Sequence, residues 1–180
     1  VQKVLDEVKE VQPTLFGSVP RIFEKAYAKV HAQIEQKPRL VQQLFAWAKS
    51  VAIEAAPYRV NGSSIPKGLQ LKHKVADRLV FAKIRAAFGG RVTCFVTGAA
   101  PIAMDILEFF WGAGLNIYEG YGMTESTVIT HINRPGHVSL GSVGQAIKPM
   151  EVKIAPDGEV LMKGPFVFRG YFKNEEATSK

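Results

Sequence analysis

Cysteine is nearly missing from this sequence: Cys94 stands alone among 180 residues. No internal disulfide can form, so a reducing, cytoplasmic setting is expected. Cys94 lies within Val92-Thr93-Cys94-Phe95-Val96, where a packed structural thiol is expected rather than a nucleophile. No apolar run approaches the roughly 18 residues that cross a bilayer, and no signal peptide is read at the start. The phosphate-loop signature Gly-x4-Gly-Lys-Ser/Thr is absent, and so is a Gly-x-Ser-x-Gly nucleophile elbow around Ser126. His31, His73, His131 and His137 show no metal-ligand spacing. His31 and His73 read as surface residues on helices; His131 and His137 read as solvated or cleft-lining. There is no internal repeat and no low-complexity tract. Asn61-Gly62-Ser63 matches a glycosylation sequon but reads as a turn.

What is present is a basic, apolar-rich chain. Net charge is +7 and 47% of residues are hydrophobic, enough for one domain or one large piece of a bigger one. Residues 1–91 hold 16 Lys and Arg against 7 Asp and Glu, whereas residues 92–180 hold 7 against 9. The positive excess therefore belongs to the first half. It suits a solvated helix surface, nucleic acid, an anionic membrane surface or phosphate-bearing substrates.

Three portions follow in order. Residues 1–91 read as helical. Val4, Leu5, Val8 and Val11 space a short helix over 2–11. Residues 14–19 suit a buried strand, and Pro20 opens a helix carrying Ile22, Phe23, Ala26, Tyr27 and Val30 on one face. Pro38 breaks it. A second helix is expected over about 39–56 with Leu40, Leu44, Trp47, Val51 and Ala55 inward, the pair forming a helical excursion on the domain surface. After a loop at 57–67, a helix over 69–88 is expected to bury the stripe Leu71, Val75, Leu79, Ala82 and Ala86. Its other face would carry Lys72, Lys74, Arg78, Lys83 and Arg85, and Gly89-Gly90 would end it.

Residues 92–130 read differently. The run 91–97 is β-branched and apolar, the mark of a strand buried on both faces. Gly98-Ala99-Ala100-Pro101 turns the chain, 102–112 reads as a helix and 115–118 as the next strand. Strand, helix and strand in so short a span predict a parallel βαβ unit. Ligands of such sheets lie beyond the carboxyl ends of the strands, which puts residues 98–101 and 119–125 on one edge. Residues 131–180 read as β-rich, with a hairpin turning at Pro156-Asp157-Gly158. The fold class is therefore α/β: a parallel βαβ layer with flanking helices plus a small C-terminal β hairpin or barrel portion.

The densest chemistry is Glu119-Gly120-Tyr121-Gly122-Met123-Thr124-Glu125-Ser126. Its glycines let a ligand approach the main chain. Tyr121 offers a stacking face, Thr124 a hydroxyl for a phosphate oxygen, and Glu125 a hard ligand for Mg²⁺. A tyrosine packed in a glycine turn is the competing structural reading.

These residues resemble the adenylate-forming superfamily of acyl-CoA synthetases, luciferases and peptide-synthetase adenylation domains. Tyr121-Gly122-Met123-Thr124-Glu125 matches its core motif. Val96-Thr97-Gly98-Ala99-Ala100-Pro101-Ile102 resembles the segment lining its adenine and acyl pockets. Gly158 to Pro165 with Gly170-Tyr171 is similar to its Gly-Glu-Leu…Gly…Gly-Tyr motif. Pro13-Thr14-Leu15-Phe16, the run from Val19 to Lys25, and Ala76 to Phe81 leading into Ile84-Arg85 resemble the long-chain fatty acyl-CoA synthetase branch. The resemblance implies part of the large N-terminal domain of such an enzyme. It also implies a reaction: a long-chain fatty acid and ATP give acyl-AMP, and coenzyme A then takes the acyl group.

Under that resemblance Gly98, Ala99, Ala100 and Pro101 border adenine and acyl group, and Glu119, Gly120, Gly122 and Met123 complete the nucleotide loop. Tyr121 stacks on adenine, Thr124 contacts the α-phosphate and Glu125 holds Mg²⁺. The family's phosphate loop, ribose-binding aspartate and small C-terminal domain are expected outside residues 1–180, leaving this chain alone with little ligase activity. Two alternatives stay open: an adenylating enzyme for another carboxylate, and a non-catalytic module using its basic helices. Nucleic acid is not an expected partner; a peripheral membrane contact is compatible with the basic face, and oligomeric state is not read.

Overall fold

The computed structural model of the chain describes residues 2–179. Helix α1 (Gln2–Val11) leads to strand β1 (Leu15–Ser18), and Pro20 starts α2 (Pro20–Glu35). Helix α3 (Arg39–Val60) follows, then α4 (Lys67–Ala76), a π turn (Asp77–Phe81) and α5 (Ala82–Ala87). Strand β2 (Cys94–Thr97), helix α6 (Met104–Gly112) and strand β3 (Ile117–Tyr121) form the central unit. Short strands β4 (His131–Ile132) and β5 (Gln145–Ala146) precede the β6–β7 hairpin (Glu151–Ile154, Val160–Lys163) and helix α7 (Glu175–Ser179).

The main sheet runs β1-β2-β3-β4-β5. Strands β1, β2 and β3 are parallel, with Ser18 opposite Thr97 and Thr97 opposite Glu119. Strands β4 and β5 are antiparallel, and Gly120 and Tyr121 pair with Ile132 and His131. The expected βαβ unit and hairpin are both present. Strand β3, however, runs three residues further than expected, so Glu119, Gly120 and Tyr121 are strand residues rather than loop.

One aromatic cluster fills the space between sheet and helices. Phe23 from α2, Phe95 from β2, and Phe109 and Phe110 from α6 are all 1% exposed or less. Phe23 meets the Phe95 ring edge-on at 5.9 Å. Each buried ring removes enough apolar area to contribute roughly 1.5–3 kcal/mol.

The helix expectations need correcting in two places. Helix α3 is no surface excursion: Ala48, Val51, Ala52, Ala55 and Ala56 are buried against α6. A Cβ at Gly112 would sit on the Ala52 backbone, so alanines on one helix and a glycine on the other set the closeness of the pair. Leu40, expected inward, is 77% exposed. The helix also continues through Pro57, because its last turn packs Val60 with Ala56, Trp111 and Tyr118. In the 67–88 region, Leu71, Val75 and Leu79 are exposed, while Leu69, Ala76, Phe81, Ile84 and Phe88 are buried. The π turn adds a residue between Ala76 and Phe81 and so rotates the inward face.

The last carbonyls of α6 have no partner within their own helix. Arg59 Nε donates to the Trp111 oxygen at 2.9 Å, His73 Nε2 to Gly112 at 2.7 Å, and Arg85 Nη1 to Ala113 at 2.7 Å. Arg85 also pairs with Asp77 at 2.6 Å. Donors from three helices thus meet the negative end of the α6 dipole. His73 is therefore no surface residue, and neither is His31, whose ring packs 4.4 Å from Tyr27 and 5.1 Å from Phe45.

Two strand expectations change as well. In β1 Leu15 is 62% exposed, because among the described residues β1 pairs only with β2. In β2 the alternation is one-sided: Phe95 and Thr97 are buried, Cys94 and Val96 half-buried. Burial pushes the Cys94 thiol up from its ordinary value, in keeping with a packed rather than a nucleophilic cysteine.

Candidate functional site

Parallel pairing brings the carboxyl ends of β1, β2 and β3 to one edge of the sheet. A pocket of about 270 Å³ opens there, lined by residues 17–19, 96–99 and 120–122 and closed by Val128 and Ile129. Gly98 and Gly120 meet across it: a Cβ on Gly98 would lie 3.0 Å from the Gly120 oxygen, and one on Gly122 would collide with the Val128 carbonyl. The glycines are therefore spacing devices that keep the strand ends close.

The pocket unites Gly98 and Ala99 with Gly120, Tyr121 and Gly122. Ala100, Pro101, Glu119, Met123, Thr124 and Glu125 lie outside its lining. Gly17, Ser18, Val19, Val128 and Ile129 line it without having been singled out from the sequence. The first three were legible in principle, since a third parallel strand ending at Pro20 must bring its tip to this edge. Val128 was not.

The half-buried Tyr121 ring stands edge-on to His131 at 5.9 Å. Its carbonyl accepts the Thr130 N–H at 2.9 Å. Glu119 points away into a buried position, where one carboxylate oxygen accepts the Gly141 N–H at 2.8 Å. Burial raises its proton affinity, against a smaller lowering by that N–H. Glu119 thus ties the 133–145 segment to the sheet.

Beyond Gly122 the chain makes a single 3₁₀ turn, Thr124–Ser126, closed by Ser126 Oγ on the Met123 backbone. Thr127 and Val128 follow at φ of 55° and 81°, a conformation that costs β-branched residues on the order of 1–3 kcal/mol each. Ala99 stands at φ 70° on the facing loop. Strained backbone therefore flanks the pocket on two sides.

Thr124 is exposed at the tip of the turn. Glu125 Oε1 accepts the Tyr171 hydroxyl at 2.6 Å, which holds the Glu125 carboxyl below its usual range and raises the Tyr171 phenol. Further bonds fasten the same turn to the 166–171 segment. The Phe168 N–H donates to the Glu125 main-chain oxygen at 2.8 Å and Thr127 Oγ1 to the Phe166 main-chain oxygen at 2.7 Å.

A mostly apolar groove of about 340 Å³ lies between α2, α3 and α5, around Ile34, Leu44 and Ile84, and two clefts, of about 380 and 300 Å³, lie beside the end of α3, around Arg59, Tyr118, Asn133 and His137. The two clefts are wide and polar and touch neither loop. The strand-end pocket is the better candidate because glycine contacts and strained backbone converge on it, and because parallel sheets bind ligands at that edge.

Known proteins resemble this chain in sequence and in fold. Residues 1–172 match the family described as AMP-binding enzyme. The long-chain-fatty-acid–CoA ligase FadD15 of Mycobacterium tuberculosis is 38% identical over 184 residues, covering 100% of this chain and 30% of the relative. The ligase ACSBG2 of Xenopus laevis is 39% identical over 177 residues, covering 95% of this chain and 24% of the relative. The chain thus spans about a third or less of the curated relatives' length. Among solved structures, the anthranilate CoA ligase AuaEII in complex with anthranoyl-AMP superimposes with a TM-score of 0.56 at 17% identity, over 98% of this chain and 26% of that one. O-succinylbenzoate coenzyme A synthetase (MenE) from Bacillus subtilis, in complex with ATP and magnesium ion, gives 0.55 at 19% identity, over 99% and 28%. The fold is that of a part of these two ligases, and the chain belongs to the AMP-binding enzyme family.

Proposed function

We propose that this protein activates a long-chain fatty acid with ATP and transfers the acyl group to coenzyme A. The carrying observation is that relatives named long-chain-fatty-acid–CoA ligase match essentially the whole chain at 31–39% identity. The activity is proposed for a longer polypeptide of which these residues are a part. In the first step the fatty acid carboxylate attacks the α-phosphate of ATP and pyrophosphate leaves. In the second, the coenzyme A thiolate attacks the acyl carbonyl and AMP leaves.

Tyr121 supplies a ring for adenine at the pocket's rim. Gly98, Ala99, Ala100 and Pro101 border the base and the acyl group, and Gly120 and Gly122 leave room for the nucleotide. The Thr124 hydroxyl donates to an α-phosphate oxygen. Fixed donors at the phosphoryl oxygens stabilise charge that grows there in the transition state.

The residues present fit Mg²⁺ riding on the nucleotide. Among the described residues no three His, Cys, Asp or Glu side chains cluster to form a metal cage. Glu125 offers one solvent-reachable carboxylate, the usual protein share of a Mg²⁺–phosphate site. Bound there, Mg²⁺ would neutralise phosphate charge. The free thiol of Cys94 supports a cytoplasmic setting. Exposed Leu71, Val75 and Leu79 beside Lys72 and Lys74 support a peripheral contact with an anionic membrane in the same reading.

Carboxylate-dependent exchange of pyrophosphate into ATP tests the proposal on the polypeptide containing this chain. Palmitate should support exchange, and Tyr121→Ala and Glu125→Gln should each lower kcat/KM by about 10²-fold, the scale of one transition-state contact. Exchange driven by aryl or short acids but not by palmitate would overturn it.

A further inference from the structure

Tyr171 comes from far along the chain and lies outside the pocket lining, yet its hydroxyl meets Glu125 Oε1 at 2.6 Å. Two more bonds, from the Phe168 N–H to the Glu125 main-chain oxygen and from Thr127 Oγ1 to the Phe166 main-chain oxygen, hold the same two segments together. The Tyr171 ring is itself fixed, edge-on to Phe168 at 4.8 Å, and the Tyr171 N–H donates to Thr178 Oγ1 at 2.9 Å. The Glu125 carboxylate thus meets a donor whose ring packs on Phe168 and whose main chain is bonded to Thr178.

We propose that Tyr171 is a positioning residue that orients the Glu125 carboxylate for the divalent cation of the bound nucleotide. The inference rests on the reading of Glu125 as a cation ligand given above. A bond to Oε1 fixes the side-chain rotamer and leaves the carboxylate with acceptor capacity for a cation. Outer-sphere donors of this kind set the orientation of ligating carboxylates, and their loss lowers metal affinity about 10–100-fold. The 164–172 segment would then couple the shape of the nucleotide turn to whatever packs on the β6–β7 side of the molecule.

Mn²⁺ in place of Mg²⁺ makes this measurable without turnover. Proton-relaxation titration reports the ternary complex of the polypeptide containing this chain with Mn²⁺ and ATP, and calorimetry reports its AMP binding without metal. Tyr171→Phe keeps the ring and removes the hydroxyl; it should weaken the Mn²⁺–ATP complex about tenfold and leave AMP affinity unchanged. Thr127→Ala cuts another bond between the same segments and should lower Tm while leaving both affinities within about twofold. Because Tyr171 acts through Glu125, the double variant with Glu125→Gln should bind Mn²⁺–ATP no more weakly than Glu125→Gln alone.

If Glu125→Gln weakens the complex and Tyr171→Phe does not, Tyr171 is merely structural and the inference is overturned while the cation reading stands. Thr127→Ala matching Tyr171→Phe would overturn it equally. Unchanged affinity in Glu125→Gln, or no Mn²⁺–ATP binding by the unmodified polypeptide that contains this chain, would remove the cation reading and this inference with it.

Discussion

Glu119 shows how one side chain can belong to a sequence motif and yet serve another purpose. It sits among the motif residues, but its carboxylate is turned into the molecule and bonds the Gly141 N–H. Burial makes its proton harder to lose in the folded chain. The folded state therefore keeps a proton that the unfolded state releases, and stability should fall as pH rises from the ordinary glutamate range through the raised folded value. Glu119→Gln retains an acceptor for Gly141 and removes the titration. Denaturant unfolding at stepped pH should show a flatter profile for the variant across that window; identical profiles would contradict the assignment. At this scale the sequence revealed residue types but not directions. Glycine at 120 and 122 announced close backbone approach, whereas the left-handed Ala99, Thr127 and Val128 carry no compositional sign because nothing in an alanine or valine predicts positive φ.

Among the elements, the parallel strands and α6 were legible because β-branched runs and glycine turns bracket them. The inward faces of the helices were not. Two apolar stripes run along residues 67–88 at helical spacing; the one through Leu69 and Ala76 faces the core, and the π turn at Asp77–Phe81 carries that face over to Phe81, Ile84 and Phe88. Phe81→Ala should cost about 3–5 kcal/mol, as for other fully buried rings. Leu71→Ala, at a position 68% exposed, should stay within about 0.5 kcal/mol of the parent. Chemical denaturation of the two variants checks this; equal losses would mean that the stripe containing Leu71 packs inward after all. The importance of α3 was hidden for a related reason. Its buried face is mostly alanine, which gives a weak apolar signal yet lets its backbone come up against Gly112 of α6.

Over the whole molecule, the basic excess of residues 1–91 divides in two. Arg59 and Arg85 are spent on the carboxyl end of α6, while Lys72, Lys74, Arg78 and Lys83 remain exposed beside Leu71, Val75 and Leu79. Among the described residues no helix is long and apolar enough to cross a membrane. Sequence alone brought residues 98–99 and 120–122 to one edge of the sheet, because parallel strands share a single carboxyl edge. It missed β1 as a wall of the pocket, since an exposed edge strand looks the same as a buried one in so short a stretch. The larger clefts beside α3 are the rival locations for a ligand. Amide chemical shifts during titration of the chain with AMP separate the two most directly. The account predicts shifts concentrated at residues 17–19, 98–99, 120–122 and 128–129 and abolished by Tyr121→Ala; shifts confined to Arg59, Asn116 and the 133–142 region would contradict it.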